Sequence, residues 1–378
     1  MTMMYRNTWF EINLAAIERN TERIKKMSGK RFIAVVKANA YGCGDRQIAE
    51  ACRRGGADMF AVSSLDEAIM LRKQGIEEEI LVLGTADAED IPAAIEYNIS
   101  LAAFSLVWVR KVCAGQPAGL KVHLKVDTGM SRIGFLDLEE LAEAKDLLLQ
   151  SGCLLEGIFT HFACADTDKD MTERQFRRFK EAVEKMDYPF PWIHCENSDA
   201  AVSLFDPLSN AVRIGISLYG INAYVPDLEQ PVALYSRISL VKTLPAGTTI
   251  GYGATYTTQG NEIIATVPIG YADGLERRNA GRSVYVDGLL VPFAGRICMD
   301  QCMIRLPEYR PEGTLVEIFG PHISIEKMAA ELGTIPHELM CIINDRVTRI
   351  YTMDGKPVEE YNLRHGAAGQ QVYDHDLG

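Results

Sequence analysis

Positive charge is scarce in this chain: 39 Lys and Arg stand against 51 Asp and Glu, a formal net charge of -12 at pH 7. A general nucleic-acid binder neutralises phosphates with basic surface, so this balance argues against that class. Long apolar runs are missing as well. No uninterrupted stretch is long enough to span a bilayer, so no membrane partner is expected. The opening residues, Met1-Thr-Met-Met-Tyr-Arg-Asn7, have neither the basic segment nor the apolar core of a secretory signal, and a cytoplasmic setting is expected. The nine cysteines contain no Cys-x-x-Cys pair. They read as small core residues in a reducing compartment, and no structural metal is implied. A Gly-x-Gly-x-x-Gly loop after the first buried strand is also absent.

What is present is alternation. Apolar residues make up 47% of the 378, enough for two ordinary cores. Short runs at 32–36, 59–63, 80–83, 100–103, 121–126, 155–160, 192–195 and 212–215 read as buried strands, with helical patterns between them. Ser64-Leu-Asp-Glu67 fits a capping box at the start of one such helix. Strands alternating with helices imply a parallel sheet, and this number of strands closes a (β/α)8 barrel. An open doubly wound sheet is the competitor, but its glycine-rich loop is missing. Beyond Ala233 the pattern becomes strand after strand, at 237–243, 262–268, 283–286, 289–293, 302–306 and 315–319, with a single helix near 324–332. Asp287-Gly288 between two apolar runs signals a type I′ hairpin. The fold class expected is α/β: a TIM-like (β/α)8 barrel over 14–233, followed by a mainly β C-terminal domain formed by 234–378 together with 1–13. The residues from about 362 onwards read as a loose tail.

Barrel enzymes work at the C-terminal ends of their strands. The unusual polar residues of this chain fall there. Lys37 ends the first strand, followed by Asn39 and Tyr41. An amine at the mouth of an apolar strand is partly desolvated, which favours its neutral, nucleophilic form. Taken alone, it also fits a lysine snorkelling to solvent. Lys125 and Asp127 follow the fifth strand, with Arg132 beyond; His161 ends the sixth; His194, Asn197 and Ser198 end the seventh; Arg213 and Gly215 end the eighth. Ser198 reads as a helix cap beside a ready anion site, and Gly215 allows close backbone approach.

Several of these runs resemble one family. Val36-Lys-Ala-Asn-Ala-Tyr-Gly42 looks like the cofactor-lysine motif of the alanine racemases, which are pyridoxal-phosphate enzymes. Ile250-Gly-Tyr-Gly-Ala-Thr-Tyr256 resembles their catalytic tyrosine segment, and Arg213-Ile-Gly-Ile-Ser-Leu-Tyr-Gly220 their ring-nitrogen segment. The likeness runs from Thr8 to Tyr351. It implies that Lys37 holds pyridoxal 5'-phosphate as a Schiff base. Tyr41, Ser198, the backbone of Gly215 and Ile216, and Tyr351 would bind the phosphate. His194 and Asn197 would complete the cofactor site, with Arg213 against the pyridine nitrogen. It further implies two-base proton transfer at Cα by Lys37 and Tyr252, with Arg132 and His161 tuning the phenol. A free tyrosine has a pKa near ~10 and needs such help to act as a base. Met299 and Asp300, in Cys298-Met-Asp-Gln301, would meet the substrate together with Arg132, and Tyr271 would narrow the entrance. Lys125 matches a lysine that is carbamylated in many members. The tyrosine would come from the partner in a homodimer with shared sites. Glu196 and Asp199 stand where small residues are expected beside Asn197 and Ser198.

The implied activity is interconversion of L- and D-alanine, an isomerase supplying D-alanine for peptidoglycan. A serine or dual alanine/serine racemase is the alternative within that chemistry. From other classes there remain a pyridoxal-phosphate carrier or regulatory protein, and a decarboxylase of basic amino acids. The decarboxylase would want a carboxylate where Arg213 stands.

Overall fold

The structure is a computed structural model and describes residues 5–362. The tail read from about 362 onwards therefore lies outside the described residues, apart from Asn362. The chain divides into two compact units: one comprises 17–40 and 44–229, the other 1–16, 41–43 and 230–378. No helix among the described residues is long and apolar enough to cross a membrane.

Strand β1 (Thr8–Asn13) belongs to the second unit. The first unit is a closed barrel of β2 (Arg31–Val35), β3 (Met59–Val62), β4 (Glu79–Val82), β5 (Ser100–Ala103), β6 (Lys121–Lys125), β7 (Leu154–Phe159), β8 (Trp192–His194) and β9 (Ala211–Ile214). Closure is made by β9 pairing in parallel with β2, Arg31 opposite Ala211 through Ala34 opposite Ile214. The strands were legible because each is covered on both faces and so reads as a continuous apolar run; β3 is buried along its whole length. The helices between them are one-sided. Lys169–Met186 buries Thr172, Gln175, Phe179, Ala182 and Met186, the spacing of one helical stripe, and Asp168 caps it by accepting from Met171 N–H.

After β2 the backbone does something no strand-and-loop reading anticipates. Ala38, Asn39, Ala40 and Tyr41 have φ of 55, 53, 49 and 58°. Four consecutive non-glycine residues thus wind left-handed, at a cost of roughly 1–2 kcal/mol each. Around the turn's first three residues the hydrogen bonds are dense. Ala38 N–H donates to Glu67 Oε1 at 2.7 Å, while Tyr219 OH donates to Ala40 O at 2.6 Å. Asn39 accepts from Gly44 N–H on its carbonyl and from Asp45 N–H on its side chain, both at 3.0 Å. This corrects the capping-box expectation. The helix Leu65–Lys73 does start after Ser64, but Ser64 makes no side-chain cap; Glu67 reaches instead to Ala38 and, at 2.7 Å, to Ser63 N–H.

The second unit is mainly β. Its seven-stranded sheet runs in the order 289–292, 283–286, 315–319, 232–237, β1, 348–353, 356–361. β1 lies antiparallel to Val232–Arg237 and parallel to Thr348–Met353, so the N-terminal strand is part of this sheet. A three-stranded sheet holds Leu240–Leu244, Glu262–Val267 and Cys302–Leu306. The single strand expected at 237–243 is in fact two. Arg237 pairs with Leu315 and Leu240 with Thr266, so the chain changes sheet between them. Asp287 and Gly288, with φ of 44 and 88°, form the two-residue hairpin that type I′ geometry requires. The strands at 348–353 and 356–361 and the helix Pro336–Cys341 had no expectation.

Replacing Glu67 with Ala removes two charge-assisted bonds to backbone N–H groups. It is expected to lower unfolding free energy by about 2 kcal/mol, measured by denaturant titration.

Candidate active site

The polar residues expected at the strand ends come together on the barrel unit. β6, β7, β8, β9 and β2 are consecutive around the barrel, and they carry Lys125, His161, His194, Arg213 and Lys37 at or just past their C-terminal ends. The centre of the group is Arg213, which is buried. Its NH1 donates to His194 Nδ1 at 2.8 Å and to His194 O at 2.9 Å. Its NH2 reaches Thr160 O at 2.6 Å, Cys195 O at 3.1 Å and His161 Nδ1 at 3.2 Å. None of these contacts uses Nε, and among the described residues Arg213 has no carboxylate bonded to it. Burial lowers the guanidinium pKa to about 10, which still leaves it charged at neutral pH.

One fixed charge then dictates its neighbours' protonation. An arginine only donates, so both histidines must present a bare Nδ1 to it and carry their proton on Nε2. Burial, followed by the charge of Arg213, holds His194 and His161 well below the usual histidine range. Arg132, Lys125 and Lys37 add to the effect on His161, which places four cations around that ring. Phe159 forms the floor. His194 stacks on it at 4.9 Å and 8°, and Lys125 Nζ and the Arg213 guanidinium each lie 5.5 Å from its ring centre.

Lys125 is buried; burial and then Arg213 bring its amine down to about 7. It donates to Val126 O at 2.8 Å, and among the described residues no ion pair joins it to Asp127. Asp127 instead folds the following loop, its Oδ1 accepting from Gly129 N–H at 2.9 Å and Ser131 N–H at 3.0 Å. That bent loop leads to Arg132, which is exposed.

The anion end differs in detail from the expectation. Ser198 caps no helix; its Oγ accepts from Gly215 N–H at 3.2 Å and Ser217 N–H at 3.4 Å, which leaves the hydroxyl proton to be donated elsewhere. Asn197 supplies the cap, accepting from Ala200 N–H at 3.1 Å. Ile216 opens a short 3-10 turn, whose first N–H has no acceptor within that turn. The two acids that looked out of place are turned to other work. Glu196 is buried, with Oε1 on Lys30 Nζ at 2.5 Å and on Ser209 Oγ. Asp199 holds Ala223 N–H at 2.8 Å. Lys30 and Phe159 were missed by the sequence reading, and Glu67 was read only as part of a helix cap. Each acts through a partner distant in the chain, for which no local pattern exists.

On the second unit, Tyr252 sits between Gly251 and Gly253, at φ 70 and 74°, with its side chain 72% exposed. It is these left-handed φ values that favour glycine at both positions, since an added Cβ would meet only the movable ends of Met303 and Arg296. Tyr271 and Met299 are exposed as well, and their segments are joined: Tyr271 N–H donates to Cys298 O and Ala272 N–H to Met299 O, both at 3.0 Å. Beneath them the buried Asp273 pairs with Arg6 and Arg346. Asp300 is held by Arg346 at 2.6 Å. Tyr41 is buried, with the ring of His337, a residue the sequence reading passed over, 5.7 Å away. Tyr351 is a correction. It is fully buried and its hydroxyl donates to Cys43 O at 2.9 Å, so it braces the loop after Tyr41 and does not face a phosphate.

The barrel rim thus brings together a half-buried amine, a donor-only arginine and a hydroxyl beside the first N–H of a 3-10 turn. Residues 12–223 match the family model for the alanine racemase N-terminal domain, and 232–351 that for its C-terminal domain. The chain is 42% identical to an alanine racemase of Halalkalibacterium halodurans over 96% of its own length and 99% of that protein's. It is 41% identical to alanine racemase 1 of Bacillus subtilis over 95% and 96%. Among solved structures it is similar to the alanine racemase of Bacillus anthracis with bound L-Ala-P, at TM-score 0.90 and 37% identity, covering 96% of this chain and 100% of that one. The alanine racemase of E. faecalis gives 0.89 and 38%, covering 93% and 100%. These matches define an amino-acid racemase, an isomerase. The chain belongs to the alanine racemase family.

The Lys30–Glu196 pair gives a direct test of how the anion end tolerates its acid. Lys30→Met strands a buried carboxylate and is expected to cost about 3 kcal/mol in a denaturant titration, most of it recovered in Lys30→Met/Glu196→Gln.

Proposed function

We propose that the protein interconverts L- and D-alanine by moving the Cα proton between two bases, Lys37 and the Tyr252 of a second copy, with pyridoxal 5'-phosphate bound at the barrel rim. The donor set suits that group. Lys37 offers an amine for its aldehyde. The Ser198 hydroxyl and the Ile216 N–H suit a phosphate beside Gly215, whose own N–H is held on Ser198 Oγ, with Tyr41 as a further phosphate donor and Asn197 bracing the loop. Neither Glu196 nor Asp199 opposes them, because both carboxylates are engaged elsewhere. When bound, the cofactor supplies an electron sink that makes the Cα–H of an attached amino acid removable.

The observation that carries this reading is Arg213: a buried arginine with Nε left over and no carboxylate bonded to it. It would offer an N–H to a ring nitrogen of the bound group without giving up its own proton, and so would leave that nitrogen unprotonated. His194 orients Arg213. Lys37 removes or returns the proton on one face. Tyr252 serves the other, because one base can rarely reach both. Arg132 and His161 receive the phenol, and Met299, Asp300 and Tyr271 bound the substrate's approach. The exposure of Tyr252, Met299 and Tyr271, at 72%, 52% and 42%, supports a second copy covering them. The reading includes a homodimer with two shared sites, a cytoplasmic setting and supply of D-alanine to peptidoglycan.

The test is Cα proton exchange in heavy water with each enantiomer of alanine. Tyr252→Phe is expected to lose about a hundredfold or more in racemisation and to exchange one enantiomer far better than the other; normal inversion of both would refute the two-base scheme. Mixing the inactive Lys37→Ala and Tyr252→Phe proteins is expected to restore about a quarter of the sites if they are shared between copies, and none if they are not. Lys125 is expected to form a carbamate that is visible by NMR with carbon-13 bicarbonate above pH about 7, where its amine is neutral, and that fades as pH falls below that value. Turnover of L-serine above that of L-alanine would replace alanine as the substrate.

A further inference from the structure

His123 lies on β6, two residues before Lys125, and has no part in the chemistry described above. It is fully buried. Its Nδ1 is 3.0 Å from Nε2 of His194, the same histidine whose Nδ1 receives the Arg213 guanidinium at 2.8 Å. The proton direction along this row follows from chemistry alone. Arg213 donates, so His194 Nδ1 accepts and its proton is on Nε2; that N–H donates to His123 Nδ1, and the proton of His123 sits on Nε2. The last N–H has no acceptor among the described residues. The row is therefore a one-way chain of donors, with its only fixed charge at the Arg213 end.

The packing holds the chain in this sense. The rings of His123 and His194 meet edge to face at 5.2 Å and 63°, while His194 lies flat on Phe159. Gly157, on β7, makes room: a Cβ there would fall 2.3 Å from His123 Nδ1, closer than any real contact. A glycine inside a barrel strand is otherwise a weakness. Here it admits an imidazole edge where an ordinary side chain would displace it.

We propose that His123 is a positioning residue for Arg213, acting through His194: its Nδ1 pins the Nε2–H of His194, fixing the ring so that His194 Nδ1 is aimed at the guanidinium and Nε of Arg213 is aimed at the ligand. This rests on Arg213 serving as the ring-nitrogen donor. Two variants separate the role from mere filling of space. His123→Asn keeps an acceptor at the δ position; His123→Leu keeps bulk without one. Gly157→Ala displaces the ring and leaves its chemistry untouched.

The experiment compares these holoenzymes with the parent by nitrogen-15 NMR of the histidine side chains, by cofactor dissociation constant, and by kcat and KM for L-alanine. In the parent, His123 and His194 are both expected as neutral Nε2–H tautomers; an Nδ1–H tautomer at His194 overturns the proposal without any variant. His123→Leu and Gly157→Ala are expected to show a second His194 state, with cofactor binding and kcat each about tenfold weaker and KM nearly unchanged. His123→Asn is expected to stay near the parent. If Asn and Leu behave alike, both intact or both impaired, the acceptor is not what matters and the proposal fails. Absence of cofactor binding or alanine turnover in the parent would instead refute the functional reading, and the His194 tautomer would still report on the chain.

Discussion

A single buried guanidinium, bonded only to neutral acceptors, organises the barrel rim. Removing a charge from water is costly unless it is paired or fully hydrogen-bonded. Arg213 takes the second route: three backbone carbonyls and two imidazoles surround it. A carboxylate would have satisfied it more simply, but would also have cancelled its field. Left uncancelled, that field is the first cause after burial of the lowered pKa of His194, His161, His123 and Lys125. The rim therefore holds neutral imidazoles and a readily neutralised lysine around a persistent buried positive charge. Such a site favours an anion and offers amines that can act as nucleophiles or bases.

Lys37 is placed by a different means. Its strand ends in a left-handed turn that alanine, asparagine and tyrosine adopt only at a cost. Glu67, Tyr219 and Asp45 over-determine that turn through hydrogen bonds from three separate elements. Strain of this kind survives only where the surroundings leave no alternative. The result is a lysine whose backbone has little freedom at the point where, in the proposed function, its side chain meets the cofactor. The same logic holds on the other unit, where Tyr252 is exposed but its backbone is confined by two glycines in conformations other residues avoid.

How far the sequence could be read follows from these facts. The barrel strands were visible because burial on both faces writes itself into consecutive apolar residues, as in Met59–Val62. The site residues at their ends were visible because polar groups there interrupt that pattern, and because several runs resemble one family. The strand Lys356–Tyr361 was not visible: it is an edge strand, half-exposed or more along its length, and its residues carry no alternation. The left-handed turn was equally hidden, since only Asn39 in it tolerates that conformation readily. Glu67 was misassigned for a related reason. Its position relative to Ser64 fits a cap, and only the fold brings Ala38 within its reach. Tyr351 was placed at the phosphate by its motif, whereas its hydroxyl is spent on Cys43.

Glu196 shows how the rim accommodates a residue that appears to contradict it. A carboxylate two positions from Ser198 would repel a phosphate and partly cancel the charge of Arg213. Its side chain instead leaves the rim and meets Lys30, just before β2, where Ser209 completes its bonding. Lys30 also binds Asp206 O at 2.9 Å, so the pair fastens the loop before β9 to the start of β2, the two strands that close the barrel. The pair is neutral overall, so it subtracts little from the field of Arg213. Its backbone stays at the site: Glu196 O accepts from Arg213 N–H at 2.9 Å, tying the segment that carries Asn197 and Ser198 to the strand that carries the arginine. The acid is thus tolerated beside an anion site because its charge and its backbone are put to separate uses.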